Sequence, residues 1–404
     1  MKTKIEWTDE TWNPVRGCTR ISEGCRNCYA ERVAGRFSQP DRVDEYVDAK
    51  TGEHVGISPV RGPQPFHGFA LITRSGPRWT GNVALIEDKL TEPLRKRSWK
   101  GKRVFVNSMS DLFHEALPDE AIDKIFAVMA LCPDVTFQVL TKRADRMRRY
   151  FADQQTSNRV GGALGKLFDR EKYVTRSPAW YFVDAGIEWA PLPNVWLGVS
   201  VEDQETADAR IPHLLETPAA VRFVSYEPAL GPVNFDPWLG DGSSCANCGF
   251  MPYEGMESYL RIQGAGAQCI VCSDALPHKS IDWIIAGGES GPGARPAHPS
   301  WFRDARDQCE AAGVPFFFKQ WGEWVPVFET TPAVINDDPE ISRFKHVVWN
   351  PEKGAWDEMN GMWDDGDSWP IAATYQDPEQ DMARVGKKAA GRQLDGREHS
   401  EFPR

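Results

Sequence analysis

Short apolar runs alternate with helical segments along most of this chain, and this alternation constrains the fold more than any other feature. Six runs rich in Val, Ile and Phe have the length of buried strands, and a seventh strand is suspected at residues 12–17. The six runs occupy residues 103–111, 135–143, 194–203, 220–230, 281–291 and 314–322. Continuous apolar strands separated by helices are typical of a parallel sheet buried on both faces. The sequence therefore predicts an α/β protein built on a complete or partial (β/α) barrel with insertions.

The predicted helices and insertions divide the chain further. Helices are expected at residues 118–133, through Tyr150, through Leu215 and from Ser300 to Ala312. The barrel is assigned to residues 1–325, with insertions at about 37–80, 151–191 and 241–280. Residues 326–404 form an acidic, Trp-rich C-terminal extension.

Polar groups stand at the end of each predicted strand. In a β/α barrel the carboxyl ends of all strands share one face, and that face carries the chemistry. We therefore expect these side chains to converge, although strand ends also need caps and turn-forming residues. The groups are Ser108, Ser110, Asp111, Thr141, Lys142, Ser200, Glu202, Asp203, Ser225, Tyr226, Glu227, Glu289, Ser290, Lys319 and Gln320.

Four of the nine cysteines form two Cys-x-x-Cys pairs in the predicted third insertion. They are Cys245, Cys248, Cys269 and Cys272. Two such pairs present four thiolates, which complete a closed tetrahedral zinc site. We predict that Zn²⁺ stabilises a small insertion there, without catalysis. A rubredoxin-like iron site or a second cluster is the alternative.

Cys18, Cys25 and Cys28 form a second group, with six and then two residues between the thiols. They lie after the suspected first strand and before a helix that is predicted to begin near Tyr29. Three thiolates on one loop suit a [4Fe-4S] cluster in which one iron remains open to another ligand. Two alternatives stay open: zinc held by the trio and a distant histidine, His114 or His298, or buried cysteines without a ligand.

Hydropathy and net charge limit which membranes and nucleic acids can be partners of this chain. The chain opens without the apolar region of a signal peptide, and no run approaches the length of a membrane span. This predicts a cytoplasmic protein with no membrane partner. The net charge of −11 argues against a general nucleic-acid coat, but basic runs at residues 94–103, 141–149 and 384–397 leave room for a local groove.

Three cysteines on the loop after the first strand of a β/α barrel resemble the radical S-adenosylmethionine superfamily. More closely, the chain resembles a phage-associated family of that superfamily, often found beside three-Cys-motif partner proteins. The resemblance covers nearly the whole chain. It rests on the segments WNPVRGCTRISEGCRNCYAER, NSMSDLF, LTKR, SVED, SYEP, GGESGPGARP, FFKQWG and KKAAGRQLDGREHSEFP.

The resemblance implies roles for the strand-end residues. The open iron of the cluster would bind the amino and carboxylate groups of S-adenosylmethionine, and Ser108, Ser110 and Asp111 would contact its methionine amino end. Lys142 and Ser200 resemble the polar pattern of spore photoproduct lyase and would hold the carboxylate and ribose. The sequence departs from the superfamily in its longer first gap. It also has Asn27 before the third thiol, where an aromatic residue is usual, and Tyr29 just after it.

The activity implied by the resemblance is reductive cleavage of S-adenosylmethionine to a 5′-deoxyadenosyl radical that abstracts hydrogen from a substrate. A reductant such as flavodoxin or ferredoxin would supply the electron. We assign Glu227, Glu289 and Lys319 to catalysis on the substrate side, with Arg295 as a fork for an anion. A nucleotide, a nucleic acid or a related phage metabolite is the favoured substrate.

Two hypotheses from other classes remain. The first is a non-catalytic, zinc-dependent nucleic-acid-binding protein with zinc at both cysteine groups. The second is a hydrolytic barrel that uses paired acids such as Glu227 and Glu289. Metal content and the effect of changing Cys25 distinguish the three.

Overall fold

The computed structural model describes residues 3, 5–39, 42–47, 51, 54–61, 64–167, 191–240, 280–327, 345–358 and 381–403. The four cysteines of the predicted zinc insertion lie outside these residues, so the zinc site stays a prediction. None of the helices in the described ranges is long and apolar enough to cross a membrane.

Strands and helices occur along all of the longer described ranges, and they alternate most regularly between residues 103 and 320. The strands are β1 (Glu10–Trp12), β2 (Val15–Arg16), β3 (Arg42–Val47), β4 (His54–Arg61), β5 (Ala70–Thr73), β6 (Gly76–Trp79), β7 (Ala84–Leu85), β8 (Arg103–Val106), β9 (Thr136–Thr141), β10 (Val195–Val201), β11 (Val221–Tyr226), β12 (Trp283–Gly287), β13 (Phe316–Gln320), β14 (Trp324–Pro326), β15 (His346–Asn350), β16 (Ala355–Glu358) and β17 (Asp381–Arg384). The helices are α1 (Tyr29–Arg36), α2 (Glu87–Leu90), α3 (Glu92–Arg95), α4 (Asp119–Ala130), α5 (Ala144–Ala152), α6 (Thr156–Leu167), α7 (Gln204–Glu216), α8 (Pro299–Ala312) and α9 (Lys387–Ala390).

Seven strands form the main sheet, in the order β1-β8-β9-β10-β11-β12-β13. The pairs β1–β8, β8–β9, β11–β12 and β12–β13 are parallel. Helices connect most successive strands of this series. Between β8 and β9 lies α4, between β9 and β10 lie α5 and α6, between β10 and β11 lies α7, and between β12 and β13 lies α8. Parallel strands in chain order, joined through helices, are the topology of a partial β/α barrel. The predicted α/β class is therefore confirmed.

The core follows the hydrophobic pattern of these elements. Every residue of β12 is buried, as expected for a strand covered on both faces. In α4 the buried side chains include Ile122, Ile125, Phe126 and Met129, which recur at helical spacing and form one apolar stripe. Burial of that stripe explains why this segment is a helix at this place in the chain.

The first strand of the main sheet is shorter and earlier than residues 12–17. β1 ends at Trp12, and Val15 and Arg16 pair instead with β7 in a separate antiparallel ribbon. Pro14 lies between them, and proline has no N–H to donate to a strand ladder. The proline therefore ends β1 and redirects the chain.

Two compact units share the described chain. The first contains residues 1–198 and 217–220, and the second contains residues 199–216 and 221–404. In the first unit, α6 occupies the start of the predicted insertion at 151–191, and Arg159 from it reaches Asp123 of α4 at 3.2 Å.

In the second unit, part of the predicted C-terminal extension forms an antiparallel sheet of order β14-β17-β15-β16. The last described residues then run beside β13. The amide of Phe318 donates to the carbonyl of His399 at 3.0 Å, and Phe317 forms an antiparallel bridge with Ser400. This segment covers backbone groups that an edge strand would otherwise leave unpaired.

Candidate functional site

The trio of thiols occupies the loop between β2 and α1, in the first unit. Gly17 precedes Cys18 with φ of +91° and forms a bridge with Ser110. A Cβ atom at Gly17 would overlap the carbonyl oxygen of Asn82, so both the backbone angle and the space require glycine. Cys28 stands at the other end of the loop, directly before α1.

The three thiols are free and half-buried, and each lies within range of the others' charge. Burial, the Asp111 carboxylate and the charges at Cys28 and Cys25 together raise the pKa of Cys18 to about 12. Burial also raises the pKa of Cys28, although backbone N–H groups of Glu31 and Ala30 face its sulfur and oppose the shift. Two of the three sulfur atoms of the loop, those of Cys18 and Cys28, therefore resist ionisation without a compensating cation.

Cys25 differs from the other two thiols. Burial raises its pKa, but the Lys142 ammonium and hydrogen bonds from the backbone of Ile21 and Ser22 outweigh burial and lower it below the ordinary value. The Ser22 hydroxyl also lies 3.9 Å from the sulfur. Cys25 therefore carries the largest thiolate fraction of the trio at neutral pH.

This difference predicts the order in which the cysteines react. Among the five cysteines that the structure describes, iodoacetamide added to the metal-free protein at neutral pH should modify Cys25 first, because the thiolate is the nucleophile. Cys18 and Cys28 should follow, and the buried Cys132 and Cys309 should react last. Peptide mapping by mass spectrometry over time measures the order. Equal rates for Cys25 and Cys18 would contradict the assigned electrostatics.

Arg143 connects the cysteine loop to the end of β9. Its guanidinium donates to Asp111 at 3.0 Å, to Glu115 at 2.8 Å and to the Thr19 hydroxyl at 2.7 Å. The side chains of Arg143 and Asp111 are 4% and 7% exposed. Because Thr19 follows Cys18 directly, this buried ion pair anchors the loop at its first thiol.

The Asp111 carboxylate is bound on several sides by protein groups. It also accepts hydrogen bonds from the Thr141 hydroxyl at 2.7 Å and from the Lys142 amide at 3.1 Å. In this structure Asp111 therefore binds Arg143 and fixes the turn after β9 through hydrogen bonds. The predicted contact of Asp111 with a methionine amino group stays a prediction.

His114 supports the same loop from a buried position. Its Nε2 lies 2.9 Å from the Thr19 hydroxyl, and its Nδ1 accepts from the amide of Ala116 at 3.1 Å. An accepting Nδ1 places the proton of the neutral ring on Nε2. Burial, and then the Arg143 charge, lower the pKa of His114, which favours the neutral ring. Both ring nitrogens thus have hydrogen-bond partners.

The predicted cofactor residues after β8 lie against the same loop. The Tyr29 hydroxyl donates to the carbonyl of Ser108 at 2.6 Å, and the Ser110 hydroxyl donates to the carbonyl of Val15 at 3.0 Å. The Ser108 hydroxyl donates to the Asn13 side chain at 3.1 Å. The first unit therefore brings together the trio, Tyr29, Ser108, Ser110, Asp111 and Lys142.

The second unit holds a separate cluster of predicted site residues. Lys319 Nζ lies 2.6 Å and 2.9 Å from the two carboxylate oxygens of Glu227, and Gln320 Nε2 lies 3.5 Å from Oε1 of the same carboxylate. The Ser200 hydroxyl donates to the carbonyl of Glu227 at 3.2 Å. Glu227 follows β11 directly, and Lys319 and Gln320 end β13.

Glu289 belongs to a different pair in that unit. Its carboxylate accepts from Nε and Nη2 of Arg295 at 2.9 Å and 2.8 Å, and from the Arg295 amide at 2.9 Å. Glu289 is buried, at 6% exposure. The fork of Arg295 therefore binds an internal carboxylate, whereas the sequence analysis assigned it to an external anion.

A family model matches this chain over residues 2–403, and its description is "Protein of unknown function (DUF5131)". The chain belongs to this family. No curated protein and no solved structure matches it. The cysteine loop, the Arg143 network and the Glu227–Lys319 cluster all lie within the residues that the family model matches.

Several residues of these clusters were missing from the sequence-based assignment. Arg143 directly follows Lys142 in the LTKR segment, and only its position after a strand could have marked it. Thr19 adjoins a cysteine, and Arg210 of α7 lies 3.0 Å from Glu202, which the strand-end pattern had marked without revealing this partner. Their partners are distant in the sequence or on another element, so spacing alone does not reveal the pairs.

Proposed function

We propose that this protein is a radical S-adenosylmethionine enzyme whose Cys18, Cys25 and Cys28 hold a [4Fe-4S] cluster. The observation that carries the proposal is the set of three free thiols on one loop, within range of each other's charge, between β2 and α1. Three cysteine ligands leave one iron of such a cluster for another ligand. The substrate we propose is a nucleotide, a nucleic acid or a related metabolite.

The donor set fits this group. In the part of the chain that the structure describes, no three or more His, Cys, Asp or Glu side chains gather around a position for one metal ion. The thiolates of a [4Fe-4S] cluster bind different irons, so they need not converge on a single point. Burial and Asp111 raise the pKa of Cys18, so binding of the cluster would have to displace the proton of this thiol.

The surrounding residues have supporting roles in this proposal. Lys142 provides a positive charge beside Cys25, and Tyr29, Ser108 and Ser110 line the same loop. Asp111 acts through Arg143 to position Thr19 and Cys18. When bound, the cluster and S-adenosylmethionine would supply a reductively generated carbon radical that abstracts hydrogen from the substrate.

We assign Glu227 and Lys319 to the substrate because they form a half-buried ion pair at strand ends, with both side chains partly exposed. Glu289 is held by Arg295 and would act as a positioning residue. The proposal also includes a reductant such as flavodoxin or ferredoxin, a three-Cys-motif partner protein and Zn²⁺ at Cys245, Cys248, Cys269 and Cys272.

Cofactor cleavage tests the proposal directly. The anaerobically reconstituted protein should be brown and, after reduction, should convert S-adenosylmethionine to methionine and 5′-deoxyadenosine, which liquid chromatography measures. The unreduced protein is the control and should form none. An intact cofactor with zinc and no iron would overturn the proposal and favour a zinc-dependent nucleic-acid-binding protein.

A further inference from the structure

Glu227, Lys319 and Gln320 combine a charged pair with a buried amide. The side chains of Lys319 and Glu227 are 14% and 19% exposed, so the ion pair lies at a partly open position. Gln320 lies deeper, at 3% exposure. A methyl group at Gly287 would stand 3.5 Å from the carboxyl carbon of Glu227. The glycine of β12 therefore leaves room for one methyl group beside the carboxylate.

The amide of Gln320 has an unused acceptor. Its Nε2 faces the Glu227 carboxylate at 3.5 Å, and the reverse orientation would place two oxygen atoms against each other. Oε1 therefore points elsewhere, and within the described ranges this buried oxygen has no hydrogen-bond partner. Buried polar atoms in native proteins are almost always paired, so an orphan acceptor calls for a ligand or an ordered water.

The charge and the hydrogen-bonding capacity of the cluster narrow the ligand class. Lys319 neutralises Glu227, so the pair has no net charge with which to attract a phosphate. The carboxylate retains free lone pairs, the amide retains its carbonyl oxygen, and the ammonium has three donors in total. The cluster thus offers two kinds of acceptor and one donor to a neutral group.

We propose, on the basis of the function proposed above, that this cluster binds the guanine base of the substrate. Guanine presents two donors, N1–H and the 2-amino group, beside the acceptor O6, which complements two acceptors and one donor. Adenine and cytosine each present a single donor group beside ring acceptors, and uracil presents one donor between two acceptors. A buried acceptor left without its donor penalises those bases strongly.

Nucleotide binding to the full-length protein tests this assignment. Calorimetry with guanosine, inosine, adenosine and cytidine 5′-monophosphates, on protein with and without the reconstituted cluster, should show at least about tenfold preference for guanosine over each of the others. Inosine monophosphate is the sharpest probe because it lacks only the 2-amino donor. Short single-stranded oligonucleotides with and without guanine are measured in the same way. Tighter binding of the guanine-containing strand than of guanosine monophosphate would identify a nucleic acid as the source of the base, and the reverse order would identify a free nucleotide.

Gln320→Leu removes the orphan acceptor at similar volume. It should abolish the preference for guanosine over inosine monophosphate and change the thermal midpoint little, because loss of the unpaired buried oxygen offsets loss of the long contact from Nε2 to Glu227. Gln138→Leu is the matched control: Gln138 is also fully buried, and its Oε1 also lacks a partner among the described residues. This control should keep the preference.

Either of two results would overturn the inference: no guanine-selective binding of nucleotide or single strand, or an unchanged preference in Gln320→Leu, which would indicate a water at Oε1. Guanine selectivity without cofactor cleavage would instead overturn only the radical function. Cofactor cleavage without guanine selectivity would overturn only the guanine site.

Discussion

Changing Cys18, Cys25 and Cys28 together to Ala is expected to remove about four irons and about four acid-labile sulfides per chain from the reconstituted protein. The physical reason is that the three thiols of this short loop, which are close enough to affect one another's charge, are the proposed protein ligands of the cluster. The triple variant leaves none of the three ligands that the cluster needs. Formation of 5′-deoxyadenosine should fall to the level of the unreduced control.

Two controls accompany this variant: its zinc content, and a second variant without the buried Cys132 and Cys309. Zinc content should stay at about one per chain, because the predicted zinc ligands are the four cysteines of the 241–280 segment. Cys132→Ala with Cys309→Ala removes two buried thiols and should leave iron and sulfide unchanged. Iron that persists in the triple variant, or zinc that is lost with the trio, would show that the loop does not hold an iron–sulfur cluster.

The architecture was predictable because it depends on local patterns. Residues 104–106 are apolar, residues 136–141 are rich in β-branched and aromatic residues and have strand length, and α4 has an apolar stripe at helical spacing. The position of β1 was wrong by a few residues, because the proline that ends it was included in the strand. Three thiols on one loop were equally visible, because all three are close in the sequence.

The partners of charged residues were not predictable in this way. Asp111 and Arg143 are separated by 32 positions, and Glu227 and Lys319 by 92. The choice between a ligand contact and an internal ion pair depends on which side chains the parallel strands place side by side. Arg295 shows the same limit, since its suitability for an external anion was evident, but its internal partner Glu289 was not.

Arg143→Met is expected to lower the free energy of unfolding by about 3–5 kcal/mol, because it leaves the Asp111 carboxylate buried without its cation. Arg149→Met is the matched control, in the helix α5 that Arg143 directly precedes. Its pair with Asp145 is exposed, so its loss should cost at most about 1 kcal/mol. Urea denaturation of the metal-free proteins measures both changes. Equal costs for the two variants would contradict the assigned burial.

The same variants separate stability from positioning of the cysteine loop. The double variant Arg143→Met with Asp111→Asn removes both buried charges and should recover most of the lost stability, since the one carboxylate left without Arg143, that of Glu115, is exposed. It does not restore the hydrogen bonds from Arg143 to Thr19, so the loop at Cys18 remains without this anchor.

Arg143→Lys keeps the charge but cannot reach Asp111, Glu115 and Thr19 together, because it lacks the guanidinium fork. Iron content and the electron paramagnetic resonance spectrum of the reduced protein should therefore change in all three variants and not in Arg149→Met. If iron and spectrum recover together with stability in the double variant, Arg143 is a structural residue and has no separate role in holding the loop.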